Sequence, residues 1–296
     1  MIITRLAAGG DAGALAMLAE IKWRGGLVPQ DPVGAREMFR RAGEAGHAVA
    51  SEIFTNLLGS GAAGERNWSL ALKRLKDEAR GSKPRRAAHD LLRKMALDAN
   101  GDPSNLAAPE MLSEAPDVRR VPKLLTGAEC DYLKTIADPH FETSTVNDSS
   151  GRTVADPIRT SDGATLHWAI EDLAIHALNR RLAAASGTAW QQGEALQVLR
   201  YKPGQQYRPH FDFVRASENQ RVLTVLVWLN DGYEGGETTF VKTGLEVRGR
   251  RGDALIFRNA LPDRTVDPLS EHAGKPVTRG TKLLASRWIR ESRWVP

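Results

Sequence analysis

The C-terminal third of the chain carries a series of short runs that favour β-strands, and this series most constrains the fold. The runs are ALQVLRY, YRPHFDF, VLTVLVWL, ETTFV, LEVRG, DALIF and TKLLASRWI, and they are separated by clusters of Gly, Asn and Asp. Strands this short, joined by turns, predict an antiparallel sandwich or jelly roll. Two upstream segments predict supporting helices: one begins near Thr126 and the other ends at Gly187.

The N-terminal third has a different pattern, which repeats with an offset of 36 residues. DAGALAMLAEI aligns with HAVASEIFTNL, and DPVGAREMFRRAGEAG aligns with NWSLALKRLKDEARGS. Ala35 falls on Ala71 and Phe39 on Leu75. Apolar and small residues recur at helical spacing and glycines interrupt them, so the pattern predicts a helix-turn-helix repeat.

Between these two regions, NGDPSNLAAPEMLSEAPDVRRVP is rich in Pro, Asp, Asn and Ser. This composition indicates a linker or an irregular crossover. We therefore predict a helical repeat domain over residues 1–100, a linker over 101–122 and a second domain over 123–296.

Composition places the chain among soluble globular proteins, with 41% hydrophobic and 26% charged residues. No apolar run approaches the roughly 20 residues of a membrane helix, and Asp11 and Glu20 interrupt the one candidate for a secretory segment. The single cysteine, Cys130, excludes an internal disulfide and a cysteine-based zinc site. We expect a cytoplasmic protein with no membrane partner, and any metal must be bound by His, Asp or Glu.

The net charge of +5 arises in the N-terminal region, where residues 1–100 hold 16 of the 41 Lys and Arg but 11 of the 36 Asp and Glu. The densest basic segment, residues 73–86, also has helical spacing and lacks interleaved aromatics that could stack on bases. This pattern favours a solvated helix face over a patch for an acidic or nucleic-acid partner.

The run YRPHFDF places His210 and Asp212 two residues apart, so a strand would present them on the same face. Taken alone, His-x-Asp is a weak signal. His272 follows a loop downstream and completes a set of two histidines and one carboxylate. These three ligands leave positions open on a metal, which is the ligand set of non-haem Fe(II) oxygenases.

Ten residues after His272 lies Lys282, in the strand-like run TKLLASRWI. Alternation places Lys282, Leu284, Ser286 and Trp288 on one face of that strand. A cation among Leu and Trp needs an anionic partner, because an unpaired buried charge is costly. A dicarboxylic co-substrate would supply that partner.

Four segments, YKPGQQYRPHFDF, RVLTVLVWLNDGYEGGETTF, RRGDALIF and SEHAGKPVTRGTKLLASRWI, resemble the catalytic core of the prolyl 4-hydroxylase family of 2-oxoglutarate and Fe(II)-dependent dioxygenases. LLTGAECDYL, GRTVADPIRTSDGA and GEALQVLRY resemble upstream elements of the same family. Residues 26–50 resemble Sel1-like repeats of the tetratricopeptide type. The resemblance implies an α+β chain in which an N-terminal α-helical repeat domain precedes a double-stranded β-helix (jelly-roll) oxygenase domain with supporting helices.

Carried over by position, the family's iron ligands fall on His210, Asp212 and His272. The lysine that pairs with the distal carboxylate of 2-oxoglutarate falls on Lys282. The resemblance therefore implies Fe(II), 2-oxoglutarate and O2 as cofactor and co-substrates, and it allows ascorbate as a reductant.

Tyr201 and Thr238 match positions that hydrogen-bond 2-oxoglutarate in the family. Tyr207, Arg221 and Trp288 match residues that contact substrate or line its entry. The implied substrates are an amino acid, a peptide or a protein, and the helical repeats add either a surface for a protein partner or a packing adaptor.

Three functions remain open at this point. The first is hydroxylation of an unactivated C–H of a proline or proline-like substrate, free or peptidyl, with release of succinate and CO2. The second is a repeat-based adaptor whose oxygenase domain is a sensor or modifies a protein partner. The third is nucleic-acid demethylation, which we do not expect because the basic excess lies in the other domain.

Overall fold

The structure is a computed structural model and describes residues 2–147, 153–155 and 158–294. Gly151, Arg152, Asp156 and Pro157, which belong to the upstream segment GRTVADPIRTSDGA, lie outside the described residues. In the part of the chain that is described, no helix is long and apolar enough to cross a membrane.

Eight α-helices are described: α1 (Ile2–Ala8), α2 (Ala12–Arg24), α3 (Pro32–Glu44), α4 (Ala48–Ser60), α5 (Trp68–Glu78), α6 (Lys83–Leu92), α7 (Gly127–Ala137) and α8 (Leu173–Ser186).

Sixteen strands accompany them within the described residues: β1 (Glu110–Ser113), β2 (Val118–Val121), β3 (Glu142–Thr143), β4 (Thr145–Asn147), β5 (Thr153–Ala155), β6 (Asp162–Leu166), β7 (Leu196–Tyr201), β8 (Tyr207–His210), β9 (Arg221–Trp228), β10 (Tyr233–Gly235), β11 (Thr238–Phe240), β12 (Glu246–Val247), β13 (Ala254–Arg258), β14 (His272–Gly274), β15 (Val277–Gly280) and β16 (Lys282–Arg290).

The chain divides into two compact units. The first takes in the residues up to Ser104 together with Ala169–Ala177, and the second takes in Asn105–Trp168 and the residues from Leu178 onward. The first unit is helical, and the second holds all the described strands.

The predicted repeat is confirmed in the helix caps of the first unit. The side chains of Asp11 and His47 accept a backbone N–H at the start of α2 and α4, and these residues stand 36 positions apart. Asp31 and Asn67 cap α3 and α5 with the same spacing. A capping side chain satisfies a backbone N–H that the helix leaves without a partner, so equivalent residues begin equivalent helices.

Aligned residues of the repeat also occupy equivalent places in the helix packing. Ala35, Phe39, Ala71 and Leu75 are all fully buried. Small residues at such positions let neighbouring helices approach closely. The helical hairpins thus follow from the sequence offset.

Two larger antiparallel sheets form the core of the second unit, and two two-stranded sheets, β10-β15 and β4-β5, accompany them among the described residues. The large sheet has the order β1-β2-β13-β9-β16-β7-β6-β3, and the small sheet has the order β12-β11-β14-β8. Apolar side chains of both sheets form one buried cluster, to which the large sheet contributes Leu199, Trp228 and Leu284 and the small sheet contributes Phe240 and Val247. Two packed antiparallel sheets of this kind are the jelly-roll architecture expected from the sequence.

The helix predicted to begin near Thr126 is α7, and its capping box is complete because Thr126 and Glu129 bond each other's backbone N–H. The second predicted helix, α8, ends before Gly187, whose φ of +69° suits glycine. Both helix ends therefore lie where the sequence predicts them.

Two expectations are wrong. The predicted linker over residues 101–122 contains β1 and β2, and β2 pairs with β13 in the large sheet. Strand β8 ends at His210, so Asp212 lies just after the strand and not within it. In both cases pairing with strands distant in sequence, which local composition does not reveal, decides where the strands lie.

A buried ion pair joins α7 to α8 in the second unit. The Arg181 guanidinium donates to both carboxylate oxygens of Glu129 at 2.7 Å, and both side chains are less than a tenth exposed. Breaking such a pair by removing one partner leaves an uncompensated charge inside the protein.

We expect Glu129→Ala to lower the free energy of unfolding by about 3–5 kcal/mol, because Arg181 loses its carboxylate and the capping box is lost. Urea unfolding at equilibrium measures the change. The matched control is Glu114→Ala, at an exposed position in the turn after β1, which should change the free energy by no more than about 0.5 kcal/mol. Equal values for the two variants would contradict the assigned role of the pair.

Candidate active site

Two histidines from neighbouring strands of the small sheet face each other. His210 is the last residue of β8, His272 is the first residue of β14, and the sheet register pairs them directly. Their ring centroids lie 4.2 Å apart. Antiparallel pairing thus brings together two residues that are 62 positions apart in sequence.

Asp212 completes the set from the loop after β8. Its Oδ1 lies 3.7 Å from Nε2 of His210, and its Oδ2 lies 3.6 Å from Nε2 of His272. One ligand atom from each of the three side chains lies within 4.8 Å of the others, and this is the one such group among the described residues. Three donors at this separation can bind a single cation.

The imidazole tautomers are fixed by backbone carbonyls. Nδ1 of His210 lies 2.8 Å from the carbonyl oxygen of Arg208, and Nδ1 of His272 lies 2.9 Å from that of Ser270. A carbonyl can only accept, so each Nδ1 carries the proton and each Nε2 turns a lone pair toward Asp212. Metal-binding histidines are held in this way.

The protonation states also suit a metal. Burial, together with the neighbouring His272, lowers the pKa of His210 to about 4, so its ring is neutral near pH 7. Burial raises the pKa of Asp212, but His272, His210 and the Thr224 hydroxyl outweigh burial and leave the pKa below its ordinary value. Two imidazoles whose Nε2 atoms face inward and one carboxylate are a donor set that fits Fe(II), so the residues present fit the implied metal.

Aromatic rings hold the two imidazoles in place. Tyr207 stacks on His210 with ring centroids 3.4 Å apart and an angle of 12° between the ring planes. Phe257 meets His272 edge-on at 4.7 Å. These contacts restrict rotation of both rings about their side-chain bonds.

The same cavity contains Lys282, at the start of β16 and only 3% exposed. Its ammonium donates to the carbonyl oxygen of Gly236 at 2.6 Å and lies 5.5 Å from the ring centre of Tyr201. Burial lowers the pKa of Lys282 to about 8. A cation held this far from water is a site for an anionic group.

The other residues predicted to bind the co-substrate lie beside it. Tyr201 pairs with Lys282 across β7 and β16, and Thr238 is buried at the start of β11. All three line the cavity that also contains the two histidines and Asp212. The expected alternation along β16 is confirmed, since Lys282, Leu284, Ser286 and Trp288 all line this cavity.

The three predicted substrate residues are placed differently from one another. Tyr207 and Trp288 line the cavity. Arg221 instead donates two hydrogen bonds to the Glu194 carboxylate, at 2.6 and 2.9 Å, and its guanidinium lies 3.7 Å from the ring centre of Trp288. Its direct contact with substrate stays a prediction.

Sequence reasoning missed two buried polar residues beside Asp212. The Thr224 hydroxyl lies 2.6 Å from Oδ2 of Asp212, and Nδ2 of Asn259 lies 2.9 Å from the same hydroxyl. The one available signal was Thr224 itself, a hydroxyl within the otherwise apolar run VLTVLVWL.

Comparison with known proteins agrees with this geometry. Residues 196–290 match the 2OG-Fe(II) oxygenase superfamily. Probable prolyl 4-hydroxylase 3 of Arabidopsis thaliana is 38% identical over 205 residues, which cover 61% of this chain and 71% of the relative. Prolyl 4-hydroxylase 1 of the same plant is 37% identical over 203 residues, which cover 62% and 72%.

Two solved structures are also similar to parts of the chain. The 2OG complex of viral collagen prolyl hydroxylase from Paramecium Bursaria Chlorella virus-1 is 26% identical with a TM-score of 0.48, and the match covers 59% of this chain and 96% of that one. A Sel1 repeat protein from Oxalobacter formigenes is 22% identical with a TM-score of 0.28, over 30% of this chain and 67% of that one.

The two histidines and the aspartate, the buried lysine and the level of identity to the plant enzymes lead to one assignment: the chain belongs to the prolyl 4-hydroxylase family of 2-oxoglutarate- and Fe(II)-dependent oxygenases.

Proposed function

We propose that the protein hydroxylates an unactivated C–H bond of a prolyl residue in a peptide or protein, using 2-oxoglutarate and O2 and releasing succinate and CO2. One observation carries the proposal: the three metal ligands and Lys282 share one cavity, and near pH 7 His210 is neutral, Asp212 is ionised and Lys282 is charged. The relatives at 37–38% identity are prolyl 4-hydroxylases by name.

When bound, Fe(II) and 2-oxoglutarate supply the oxidation, in which one oxygen atom of O2 enters the substrate as a hydroxyl and the other enters succinate. The protein supplies position and charge. His210, Asp212 and His272 bind the metal through the Nε2 and carboxylate atoms that face one another.

Lys282 binds the distal carboxylate of 2-oxoglutarate. Its ammonium has a neutral carbonyl of Gly236 as its hydrogen-bond acceptor in the free protein, so a carboxylate is a stronger partner for it. Tyr201 and Thr238 line the same cavity, and we expect their hydroxyls to contact the same co-substrate.

The substrate enters past Tyr207 and Trp288. The aromatic side chains of Tyr207 and Trp288 line the cavity and can offer apolar contacts to a pyrrolidine ring. Arg221 lies on Trp288 and holds the indole, and it is itself held by Glu194. Trp288 is therefore held in place before substrate arrives.

A free cyclic amino acid is the second candidate, and the loop after Asp212 favours it. Arg290 donates to the backbone of Asn219 at 2.7 Å, and the Asn219 side chain accepts from the backbone of Ser292 at 3.0 Å. Gln220 closes the loop by donating to the carbonyl of Val214 at 2.7 Å. A short loop held in this way has little surface with which to enclose an extended peptide.

An adaptor or sensor without catalysis is less consistent with the site. The imidazole tautomers, the ionised Asp212 and the buried Lys282 all match the needs of turnover. The helical hairpins of the first unit suit recognition of a protein partner, which is compatible with a protein substrate.

We expect succinate release by the Fe(II)-loaded protein to rise when proline-containing peptides are added, together with a gain of one oxygen atom in the peptide. Stimulation by free proline or pipecolate and not by peptides would select the second candidate. His210→Ala is the control and should lower turnover to background, because one ligand is lost. Turnover that survives in His210→Ala would contradict the proposed metal site.

The pKa of Lys282 predicts how 2-oxoglutarate affinity depends on pH. Below pH 8 the ammonium is already formed and affinity should not change with pH; above pH 8 the free protein must gain a proton on binding, so Kd should rise about tenfold per pH unit. Anaerobic calorimetry with the Fe(II) protein measures this. The control ligand, 2-oxobutyrate, lacks the distal carboxylate and should show no break near pH 8, and the same break with both ligands would refute the role of Lys282.

A further inference from the structure

A chain of buried hydrogen bonds leads away from the metal-binding carboxylate. Nδ2 of Asn259 lies 2.9 Å from Oγ1 of Thr224, which lies 2.6 Å from Oδ2 of Asp212. Asn259 and Thr224 are fully buried, and Asp212 is 5% exposed. The sheet register creates the first contact, because Asn259 follows β13 directly and its backbone N–H donates to the carbonyl of Val222 in β9.

The donor and the acceptor of each of these hydrogen bonds can be assigned from the hydrogens that the side chains carry. The side-chain NH2 of Asn259 can only donate, so the Thr224 oxygen accepts from it. The single hydroxyl hydrogen of Thr224 then points to Oδ2 of Asp212, 2.6 Å away. A hydroxyl that accepts one hydrogen bond also donates more strongly, so Asn259 reinforces the bond to Asp212.

That bond fixes the carboxylate plane. With Oδ2 held by Thr224, Oδ1 stays on the side of His210 and Oδ2 on the side of His272. A carboxylate free to rotate would lose this match to both imidazoles.

Stability of the fold does not by itself explain an asparagine at position 259. Its Oδ1 is buried and has no hydrogen-bond partner among the described residues. A buried amide oxygen without a partner destabilises the folded state. An apolar residue of the same shape would remove that penalty, at the cost of the bond to Thr224.

The backbone of Asn259 is linked separately to the other side of the metal site. Its carbonyl accepts from the N–H of Asp267, whose own carbonyl accepts from Ser270, and the Ser270 carbonyl binds Nδ1 of His272. A change of the Asn259 side chain leaves this backbone path in place. The two paths can therefore be separated by substitution.

We propose that Asn259 is a positioning residue for the metal site: acting through Thr224, its side-chain amide orients the Asp212 carboxylate and thereby sets the affinity for the divalent metal. The proposal rests on the metal site of the proposed function and assigns a role to a residue that touches no metal ligand.

The test is titration of Co(II), an air-stable divalent probe, into the metal-free protein, together with thermal unfolding of each variant. The variants are Asn259→Leu, Thr224→Val, Thr224→Ser and the double variant Thr224→Val/Asn259→Leu. The matched control is Asn230→Leu, since the Asn230 amide bonds the backbone of Thr281 and Leu283 and not a metal ligand.

We expect Asn259→Leu to weaken Co(II) binding by about tenfold or more without lowering Tm. The substitution removes the hydrogen bond to Thr224 and, at the same time, a buried amide oxygen without a partner. Thr224→Ser should bind like the wild type, since it keeps the hydroxyl. The double variant should bind no more weakly than Thr224→Val alone, because Asn259 acts only through the hydroxyl. Asn230→Leu should lower Tm and leave Co(II) affinity within about twofold of the wild type.

Co(II) affinity of Asn259→Leu within about twofold of the wild type would overturn the proposal, and so would a double variant that shows the full product of the two single effects. If Asn259→Leu does not fold, Asn259→Ser, whose shorter side chain cannot reach Thr224, decides by the same criteria. His210→Ala distinguishes failure of the metal site from failure of the role assigned to Asn259. Wild-type Co(II) affinity in that variant would refute the metal site itself. Wild-type affinity in Asn259→Leu alone would refute only the role of Asn259 and Thr224.

Discussion

The arrangement depends on one costly interaction, an ionised carboxylate kept away from water between two imidazoles. Burial alone would protonate Asp212, and only the groups around it keep its pKa low. Both imidazoles must turn their Nε2 lone pairs inward, which the carbonyls of Arg208 and Ser270 ensure. The Asp212 carboxylate is therefore held ionised and both imidazoles are held in one orientation, as binding of a cation requires.

Each of the two sheets supplies different residues of the site. The small sheet supplies His210 and His272, which its register pairs directly. The large sheet supplies Lys282 and Trp288 from β16, and Thr224 from the neighbouring β9. The three candidate metal ligands and Lys282 thus come from different sheets and line one cavity, and the two sheets share one buried apolar cluster.

Some of this could be predicted from the sequence because it is local. Helix caps at a 36-residue spacing, the capping box of α7 and the alternation along β16 all depend on residues a few positions apart. The strands β1 and β2 could not be predicted, since VRRV becomes a strand only by pairing with β13, more than a hundred residues later. The same holds for the ion pair of Arg221 with Glu194 and for the contact of Asn259 with Thr224, which arise from sheet register and leave no trace in composition.

A crystal structure of the protein with Fe(II) and 2-oxoglutarate, grown without oxygen and measured at the iron absorption edge, tests the central claim most directly. We expect one strong iron peak, bound by Nε2 of His210, the carboxylate of Asp212 and Nε2 of His272, with the distal carboxylate of 2-oxoglutarate on the Lys282 ammonium. Iron bound elsewhere, or a co-substrate whose distal carboxylate lies away from Lys282, would contradict it.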